Sequence, residues 1–319
     1  MKPAVLDSAT VALLRKQAEA GLAPVETLDP AEARKAFAEA RESCAVNAAL
    51  SLRTADFDVS EYGRSVPVRV YRPNEAADDG ASALGFFHGG GWVVGDIASY
   101  DDFCRGIAFA SGCCVVSVGY RLAPDHKFPA AIEDAKLAIR WLFHNSKRLG
   151  IDPDYIAVGG DSSGGNIAAV SAILARDGSL PKLRFQLLLY PATDLRMKSP
   201  SHGISIPDLR VTGKTMNWFR GLYLSSAEEQ SDWRASPLLA PNLEGVAPAY
   251  VLTAGGDPLM DEGIAYVDRL RAHGVEVEHR HYCDQIHGFL TLGNLVPEAA
   301  AARKEVSDIL SSALCSSHD

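Results

Sequence analysis

The fold is decided by the stretch Tyr155-Ile156-Ala157-Val158-Gly159-Gly160-Asp161-Ser162-Ser163-Gly164-Gly165, in which an apolar segment ends in a glycine-rich turn. The apolar half predicts a buried strand, and residues 166–176 after the turn predict a buried helix. A serine between two glycines at a strand-to-helix turn is typical of a nucleophile elbow. Gly160 and Gly164 fit that turn because a Cβ would clash in so tight a backbone. This spacing selects Ser162 as the nucleophile, although the motif alone also fits an ordinary turn.

Composition and charge limit the classes of protein to which the chain can belong. Its 319 residues are 47% hydrophobic, which is enough for a large buried core in one large domain or two small ones. The net charge of −9 argues against nucleic acid and anionic membranes as partners. No stretch approaches the roughly 18 apolar residues of a membrane span, and residues 1–20 lack the apolar region of a signal peptide. We therefore expect a soluble, cytoplasmic protein.

Cysteines and histidines are not spaced for a metal site. No Cys-x-x-Cys pair is joined by a second such pair or by a pair of histidines at zinc spacing, which favours buried free thiols over disulfides. His279 and His281 share one side of a predicted strand without a third ligand, which favours an exposed polar face. The sequence therefore predicts no metal. The six cysteines are Cys44, Cys104, Cys113, Cys114, Cys283 and Cys315.

Strand-like and helix-like segments alternate over residues 51–319, which predicts a mostly parallel sheet with helices on both faces. Residues 1–50 predict about two helices, divided near 21–30. Residues 195–245 break the alternation, and their helix-like centre lies at 214–224. An insertion of this length favours a lid or binding element over a bare loop. We predict one α/β catalytic domain with a small cap.

A serine nucleophile needs a base, and a neutral imidazole needs a carboxylate that fixes its tautomer. His287 follows the last predicted strand, and Asp257 follows the strand before it. Carboxyl ends of parallel strands share one edge of a sheet, so both loops should open beside Ser162. The chain order Ser, Asp, His is that of α/β-hydrolases. Asp257, which precedes a proline, also fits a plain turn or cap. Two nearby carboxylates compete with it: Asp261, which resembles a helix N-cap, and Asp284, which is poorly placed.

A glycine-rich loop supplies candidate oxyanion donors. His88-Gly89-Gly90-Gly91 follows a predicted strand, and its glycines let backbone N–H groups point at a substrate oxygen. We assign the N–H groups of Gly89, Gly90 and Ser163 as the oxyanion donors. A phosphate-binding loop is the alternative, but neither Gly-Lys-Ser/Thr nor Gly-x-Gly-x-x-Gly is present. We expect His88 to brace the loop rather than to act as a base.

Four stretches carry a family resemblance: residues 88–92, Tyr120-Arg121-Leu122-Ala123-Pro124 with Phe128-Pro129-Ala130-Ala131, residues 160–165, and Asp257-Pro258-Leu259 with His287-Gly288-Phe289. Together they resemble the hormone-sensitive lipase family of α/β-hydrolases, the bacterial esterases with a His-Gly-Gly-Gly motif. The resemblance implies an α/β-hydrolase fold with an eight-stranded, mostly parallel sheet. It also implies a cap built from the helices of residues 1–50 and the insertion at 195–245.

The same resemblance implies hydrolysis of short-acyl carboxylesters, a small-molecule ester as the partner and no cofactor. Dimerisation through the last strand and helix occurs in the family, and the sequence neither shows nor excludes it. Ser163 departs from the family pattern, in which alanine usually follows the nucleophile. Its backbone N–H is retained, while its hydroxyl adds polarity beside the nucleophile.

The sequence therefore predicts a serine carboxylesterase that acts through an acyl-enzyme. Its activity should rise with pH through an apparent pKa near roughly 6.5, as the histidine becomes neutral. Amide or lactone hydrolysis on the same triad is an alternative. A ligand receptor on this fold is another, and the presence of His287 argues against it. Candidate pocket residues, each of which also fits simple core packing, are Trp92, Tyr190, Trp218, Phe219 and Tyr223.

Overall fold

Eight strands form one sheet in the part of the chain that the computed structural model describes, which is residues 5–45, 50–61, 63–76 and 79–314. They are β1 (Leu52–Glu61), β2 (Arg64–Pro73), β3 (Ala81–Phe87), β4 (Cys114–Val118), β5 (Ile151–Asp161), β6 (Phe185–Leu189), β7 (Ala249–Gly256) and β8 (Val277–Ile286). Their order across the sheet is β1-β2-β4-β3-β5-β6-β7-β8. The β1–β2 and β2–β4 pairs are antiparallel, and the remaining pairs are parallel.

Helices cover both faces of this sheet. The described helices, including those outside the two faces, are α1 (Ser8–Glu19), α2 (Pro30–Cys44), α3 (Asp101–Ser111), α4 (Ala130–His144), α5 (Ser163–Arg176), α6 (Gly213–Tyr223), α7 (Met260–Ala272) and α8 (Pro297–Ala313). Buried side chains of α4, α5 and α7 join one apolar cluster, and those of α3 and α8 join another. This confirms the predicted fold class. No helix in the described ranges is both long and apolar enough to cross a membrane.

Strand burial follows position in the sheet. Every residue of the central strands β4, β6 and β7 is buried, whereas most residues of the edge strand β1 are not. Central parallel strands are covered on both faces, which is why their sequences are predominantly apolar. The strand predicted at residues 155–159 is longer than its apolar core, because its pairing with β3 begins at Ile151 and is interrupted by a register shift.

The N-terminal helices lie against loops at the carboxyl edge of the sheet. Asp7 caps α1 through the backbone N–H groups of Ala9 and Thr10, and its own N–H donates to the Asp284 carbonyl oxygen at 3.2 Å. Asp29 and Glu32 form a capping box at the start of α2. The connection between β6 and β7, residues 190–248, carries α6 close to its predicted place.

Two sequence predictions about individual side chains need correction. The described cysteines are free, but only some are buried: Cys104, Cys113 and Cys114 are buried, Cys44 is half-buried and Cys283 is exposed. Cys315 lies outside the described residues. His279 and His281 are not simply an exposed polar face, because both imidazoles contact the Thr253 hydroxyl oxygen at 2.9 Å and His279 is half-buried.

Candidate active site

Ser162 lies at the predicted turn between β5 and α5, in a backbone conformation that L-residues rarely adopt. Its φ is 55° and its ψ is −117°. Its N–H donates to the Leu189 carbonyl oxygen at 2.9 Å, which ties the turn to the end of β6. A Cβ on Gly160 would collide with the backbone of Gly164, and one on Gly164 would collide with the Phe87 carbonyl oxygen. Close packing of three backbone segments therefore requires glycine on both sides of the serine.

A hydrogen-bonded chain joins Ser162 to a histidine and a carboxylate. The Nε2 atom of His287 lies 2.9 Å from Ser162 Oγ, and its Nδ1 atom lies 2.8 Å from Asp257 Oδ2. The other carboxylate oxygen of Asp257 accepts the Leu259 N–H at 2.7 Å. A carboxylate can only accept, so Nδ1 carries the proton and Nε2 is free to accept the serine hydroxyl proton. The structure thus brings together three residues from the loops after β5, β7 and β8.

Burial and two carboxylates set the basicity of His287. Burial lowers the pKa of the imidazole, but the charge and hydrogen bond of Asp257 raise it, and the charge of Asp161 adds to that effect. The net pKa lies above the ordinary value of 6.5. Tyr190 packs edge-on against the imidazole with ring centroids 5.0 Å apart. Its contact restrains the ring in the orientation that reaches both partners.

Neither competing carboxylate takes the place of Asp257. The N-cap of α7 is Leu259, so the cap position expected for Asp261 is wrong. Asp261 lies in the first turn instead, where its carboxylate accepts the Ser201 N–H at 2.8 Å. The Asp284 carboxylate is in contact with Gln285 Nε2 at 3.4 Å. Of these three carboxylates, Asp257 is the one hydrogen-bonded to the imidazole of His287.

One predicted oxyanion donor is already occupied. Gly89 donates its N–H to Asp161 Oδ1 at 2.6 Å, a charge-assisted bond that a neutral ester oxygen would not displace. The Gly89 N–H is therefore already engaged, and its assignment as an oxyanion donor stays a prediction that this hydrogen bond argues against. Among the residues described, no acceptor lies within hydrogen-bond reach of the N–H groups of Gly90, Gly91 or Ser163. The third glycine of the loop, which the sequence assignment omitted, is thus available where the first is not.

Asp161 is a site residue that sequence reasoning missed. Its side chain is buried, and its second oxygen accepts the Tyr100 hydroxyl at 2.9 Å. Burial raises the pKa of this carboxyl, and Arg41, Tyr100 and the Gly89 N–H act against that rise, leaving a net pKa above the usual value. Its place directly before the nucleophile was visible in the sequence, but its partners were not.

His88 braces the glycine loop. Its Nδ1–H donates to the Gly89 carbonyl oxygen at 2.8 Å, and its ring stacks on Tyr120 with centroids 4.3 Å apart. The Tyr120 hydroxyl donates to the His88 carbonyl oxygen at 2.8 Å. Complete burial lowers the pKa of His88 to about 4, so the ring is neutral at physiological pH. It does not contact Ser162, in keeping with the bracing role expected from the sequence.

Aromatic side chains lie around the site, and the five candidate pocket residues differ from one another in where they lie. Trp92 stacks on Tyr223 behind the glycine loop, and both are fully buried. Phe219 lies against Gly91, and Tyr190 lies against the imidazole of His287. Trp218 is only half-buried and contacts Phe219 at 5.1 Å between ring centroids.

Within the described ranges, no group of three or more His, Cys, Asp or Glu side chains could hold a metal ion.

Comparison with known proteins assigns the chain to a family. Residues 84–291 match the family model described as the alpha/beta hydrolase fold. The carboxylic ester hydrolase LipN of Mycobacterium tuberculosis is 41% identical over 263 residues, which are 80% of this chain and 69% of that protein. The ethyl acetate hydrolase of Pseudomonas putida is 38% identical over 287 residues, which are 86% of this chain and 88% of that protein.

A solved structure agrees with these sequence relatives. An ester hydrolase, EH1AB1, from the metagenome of Lake Arreo superposes with a TM-score of 0.92 at 36% sequence identity, covering 97% of this chain and 99% of that one. The match extends over the sheet, both helical layers and the connection that carries α6. The chain therefore belongs to the α/β-hydrolase fold family, within its hormone-sensitive lipase branch.

Proposed function

We propose that the chain is a serine carboxylesterase in which Ser162, His287 and Asp257 form the catalytic triad. The observation that carries the proposal is the hydrogen-bonded chain from Ser162 Oγ through His287 to Asp257, with distances of 2.9 and 2.8 Å. Ester hydrolysis as the reaction class is further supported by relatives named as carboxylic ester hydrolase and ethyl acetate hydrolase.

In the acylation step, Ser162 Oγ attacks the ester carbonyl carbon while His287 Nε2 takes its proton. Asp257 stabilises the imidazolium that forms. The oxygen of the tetrahedral intermediate accepts hydrogen bonds from the N–H groups of Gly90, Gly91 and Ser163. When the intermediate collapses, the bond to the alcohol oxygen breaks and His287 gives its proton to that oxygen. The acyl group remains on the serine.

In the deacylation step, His287 takes a proton from water, and the resulting hydroxide attacks the acyl-enzyme carbonyl. The same backbone donors hold the second oxyanion, and the carboxylic acid leaves as Ser162 regains its proton from His287. No cofactor enters this sequence of steps. The net pKa of His287, raised above 6.5, keeps the imidazole basic enough to take the proton in each half of the reaction.

The substrates proposed for this site are esters with short acyl chains. Ser162 is only 7% exposed, and Phe219 lies directly against the glycine loop. The nucleophile is therefore buried beside a loop that an aromatic ring of α6 packs against. We further propose that the N-terminal helices of residues 1–50 and the insertion at 195–245 act together as a cap over this site.

Hydrolysis of nitrophenyl esters from acetyl to dodecanoyl tests the proposal. The wild-type chain should turn over the short esters best, and Ser162→Ala should lose at least about 10³-fold in kcat. Ser171→Ala, which removes a buried hydroxyl bonded to Ile167 within α5, is the matched control and should keep wild-type activity. Equal activity of Ser162→Ala and wild type would refute the nucleophile, and faster turnover of a matched nitroanilide would favour amide hydrolysis instead.

A further inference from the structure

We propose that Arg41 of α2 is a positioning residue for hydrolysis. Through Tyr100 and Asp161 it fixes the position of the glycine loop, residues 88–91, which is called the oxyanion loop below. Through Thr291 it fixes the position of the loop that carries His287. The inference rests on the proposed function, because it concerns the same reaction. It gives α2 a part in catalysis that differs from covering the substrate.

The first link of the connection is Asp161, which bonds directly to the oxyanion loop. Its Oδ1 atom accepts the Gly89 N–H at 2.6 Å, and its Oδ2 atom accepts the Tyr100 hydroxyl at 2.9 Å. Gly89 immediately precedes Gly90, one of the proposed oxyanion donors. Any shift of the Asp161 carboxylate is therefore passed to the next peptide group. A displacement of about 1 Å at such a point can cost roughly 10²-fold in rate.

The second link is the guanidinium of Arg41. Its Nη2 atom donates to the Tyr100 hydroxyl oxygen at 3.0 Å, and its Nη1 atom donates to the Thr291 carbonyl oxygen at 3.2 Å. Its planar group also stacks on the rings of Phe37 and Tyr100, each with the guanidinium carbon 4.8 Å from the ring centroid. Thr291 lies four residues after His287. The Arg41 guanidinium thus contacts Tyr100, which is bonded to Asp161, and it also contacts the loop that carries His287.

Charge gives this geometry a chemical consequence. Burial disfavours the ionised form of Asp161, and the positive charge of Arg41 is the largest influence that acts against it. Ionised Asp161 makes a charge-assisted bond to Gly89, which is stronger than the bond a neutral carboxyl could make. The titratable and charged groups that face Asp161 are Arg41, Tyr100, Tyr120, Tyr190, Cys104 and His287. Arg41 is the permanent cation of that set, and His287 is cationic only when protonated.

Loss of Arg41 should move two pKa values in the same direction. The pKa of Asp161 should rise further, because the charge that opposes the burial effect is gone. The pKa of His287 should also rise, because Arg41 lowers it by like-charge repulsion. Hydrolysis needs Asp161 ionised and His287 neutral, so both changes shift the acidic limb of the activity profile to higher pH. A purely mechanical role for Arg41 would not produce this shift.

Arg34 supplies a matched control on the same helix. It precedes Arg41 by seven residues and so lies on the same helical face. Its guanidinium donates to the carbonyl oxygens of Val93 and Ala123 and pairs with Asp125. It therefore anchors α2 to the catalytic domain as Arg41 does, but it is not bonded to Tyr100 or Asp161.

The experiment measures kcat, KM and the pH profile of kcat/KM for a short nitrophenyl ester with full-length wild type, Arg41→Met, Arg41→Lys, Tyr100→Phe and Arg34→Met. Arg41→Met should lower kcat about 10- to 100-fold with KM changed less than about threefold. Its acidic limb should move up by about half a pH unit or more. Tyr100→Phe should also lower kcat, because it removes the hydroxyl that joins Arg41 to Asp161 while keeping the ring.

The conservative variant and the control decide between charge and anchoring. Arg41→Lys keeps the charge, so its acidic limb should return to the wild-type position while kcat recovers in part. Arg34→Met should lower the melting temperature without moving the acidic limb. The inference is overturned if Arg41→Met keeps the wild-type kcat and pH profile, or if Arg41→Lys shifts the profile as Arg41→Met does. Failure of the proposed function is separate, since wild type itself would then hydrolyse no ester.

Discussion

The indole of Trp92 stacks on the ring of Tyr223 with centroids 4.3 Å apart and planes 4° apart. Trp92 follows the glycine loop and Tyr223 ends α6, so this stack packs α6 against the loop. Phe219, one turn earlier on α6, fills the space that a Cβ on Gly91 would need. The aromatic face of α6 therefore forms the wall of the loop that we propose holds the oxyanion.

Removing the ring of Phe219 should lengthen the preferred acyl chain. Phe219→Ala opens space beside the glycine loop, and each methylene that fills a hydrophobic pocket contributes about 1–3 kcal/mol of discrimination. We expect the optimum in a nitrophenyl ester series to move by roughly two to four carbons on that basis. Trp218→Ala is the control, because its ring is next to Phe219 on α6 but only half-buried. An unchanged chain-length profile in Phe219→Ala would exclude this ring from the acyl pocket.

Adding one methyl group to the glycine loop should disable it. Gly91 has φ of +59°, and a Cβ there would overlap the Phe219 ring, so Gly91→Ala must move the loop. Loss of one oxyanion donor costs roughly 10²–10³-fold in kcat, and we expect a fall of that size with little change in KM. The double variant Gly91→Ala/Phe219→Ala should recover part of the loss, because the overlap is relieved. Wild-type kcat in Gly91→Ala would show that Gly91 holds no oxyanion.

Much of the architecture could be predicted because it depends on local pattern and on one rule of parallel sheets. Alternating apolar strands and helices predicted the sheet, and the carboxyl ends of β5, β7 and β8 share an edge. That rule predicted that Ser162, Asp257 and His287 lie near one another. The tight turn at the nucleophile followed from its two glycines.

The relations that the sequence did not reveal are side-chain bonds between distant residues. Gly89 and Asp161 are 72 positions apart, and no periodicity or motif indicates that the carboxylate takes the glycine N–H. The contact of Arg41 with Thr291 spans 250 positions, and no local pattern indicates it either. Strand ends were missed for a related reason: β5 begins at Ile151 because its neighbour β3 extends the ladder there.

The charge of Asp257 should control both the rate and its pH dependence. Burial alone lowers the pKa of His287, and Asp257 raises it above 6.5, so wild-type kcat/KM should rise with pH through an apparent pKa above 6.5. Asp257→Asn removes the raising charge, and the acidic limb should move to lower pH. Its kcat should fall about 10⁴-fold, because the imidazole loses the tautomer that accepts the serine proton. Profiles from about pH 5 to 9 test this, with Asp284→Asn as the control that should match wild type.

The connection between β6 and β7 should depend on one buried carboxylate. Glu262 Oε1 accepts the N–H groups of Thr193 and Asp194 at 2.7 and 3.1 Å, and its Oε2 lies 3.0 Å from His202 Nε2. Glu262→Ala leaves two buried N–H groups without an acceptor, which should cost about 3 kcal/mol and lower the melting temperature by roughly 4–5 °C. Glu262→Gln keeps an acceptor for them and should lose less, while the exposed Glu276→Ala should melt like wild type. If Glu262→Ala melts at the wild-type temperature, packing alone holds this connection on α7.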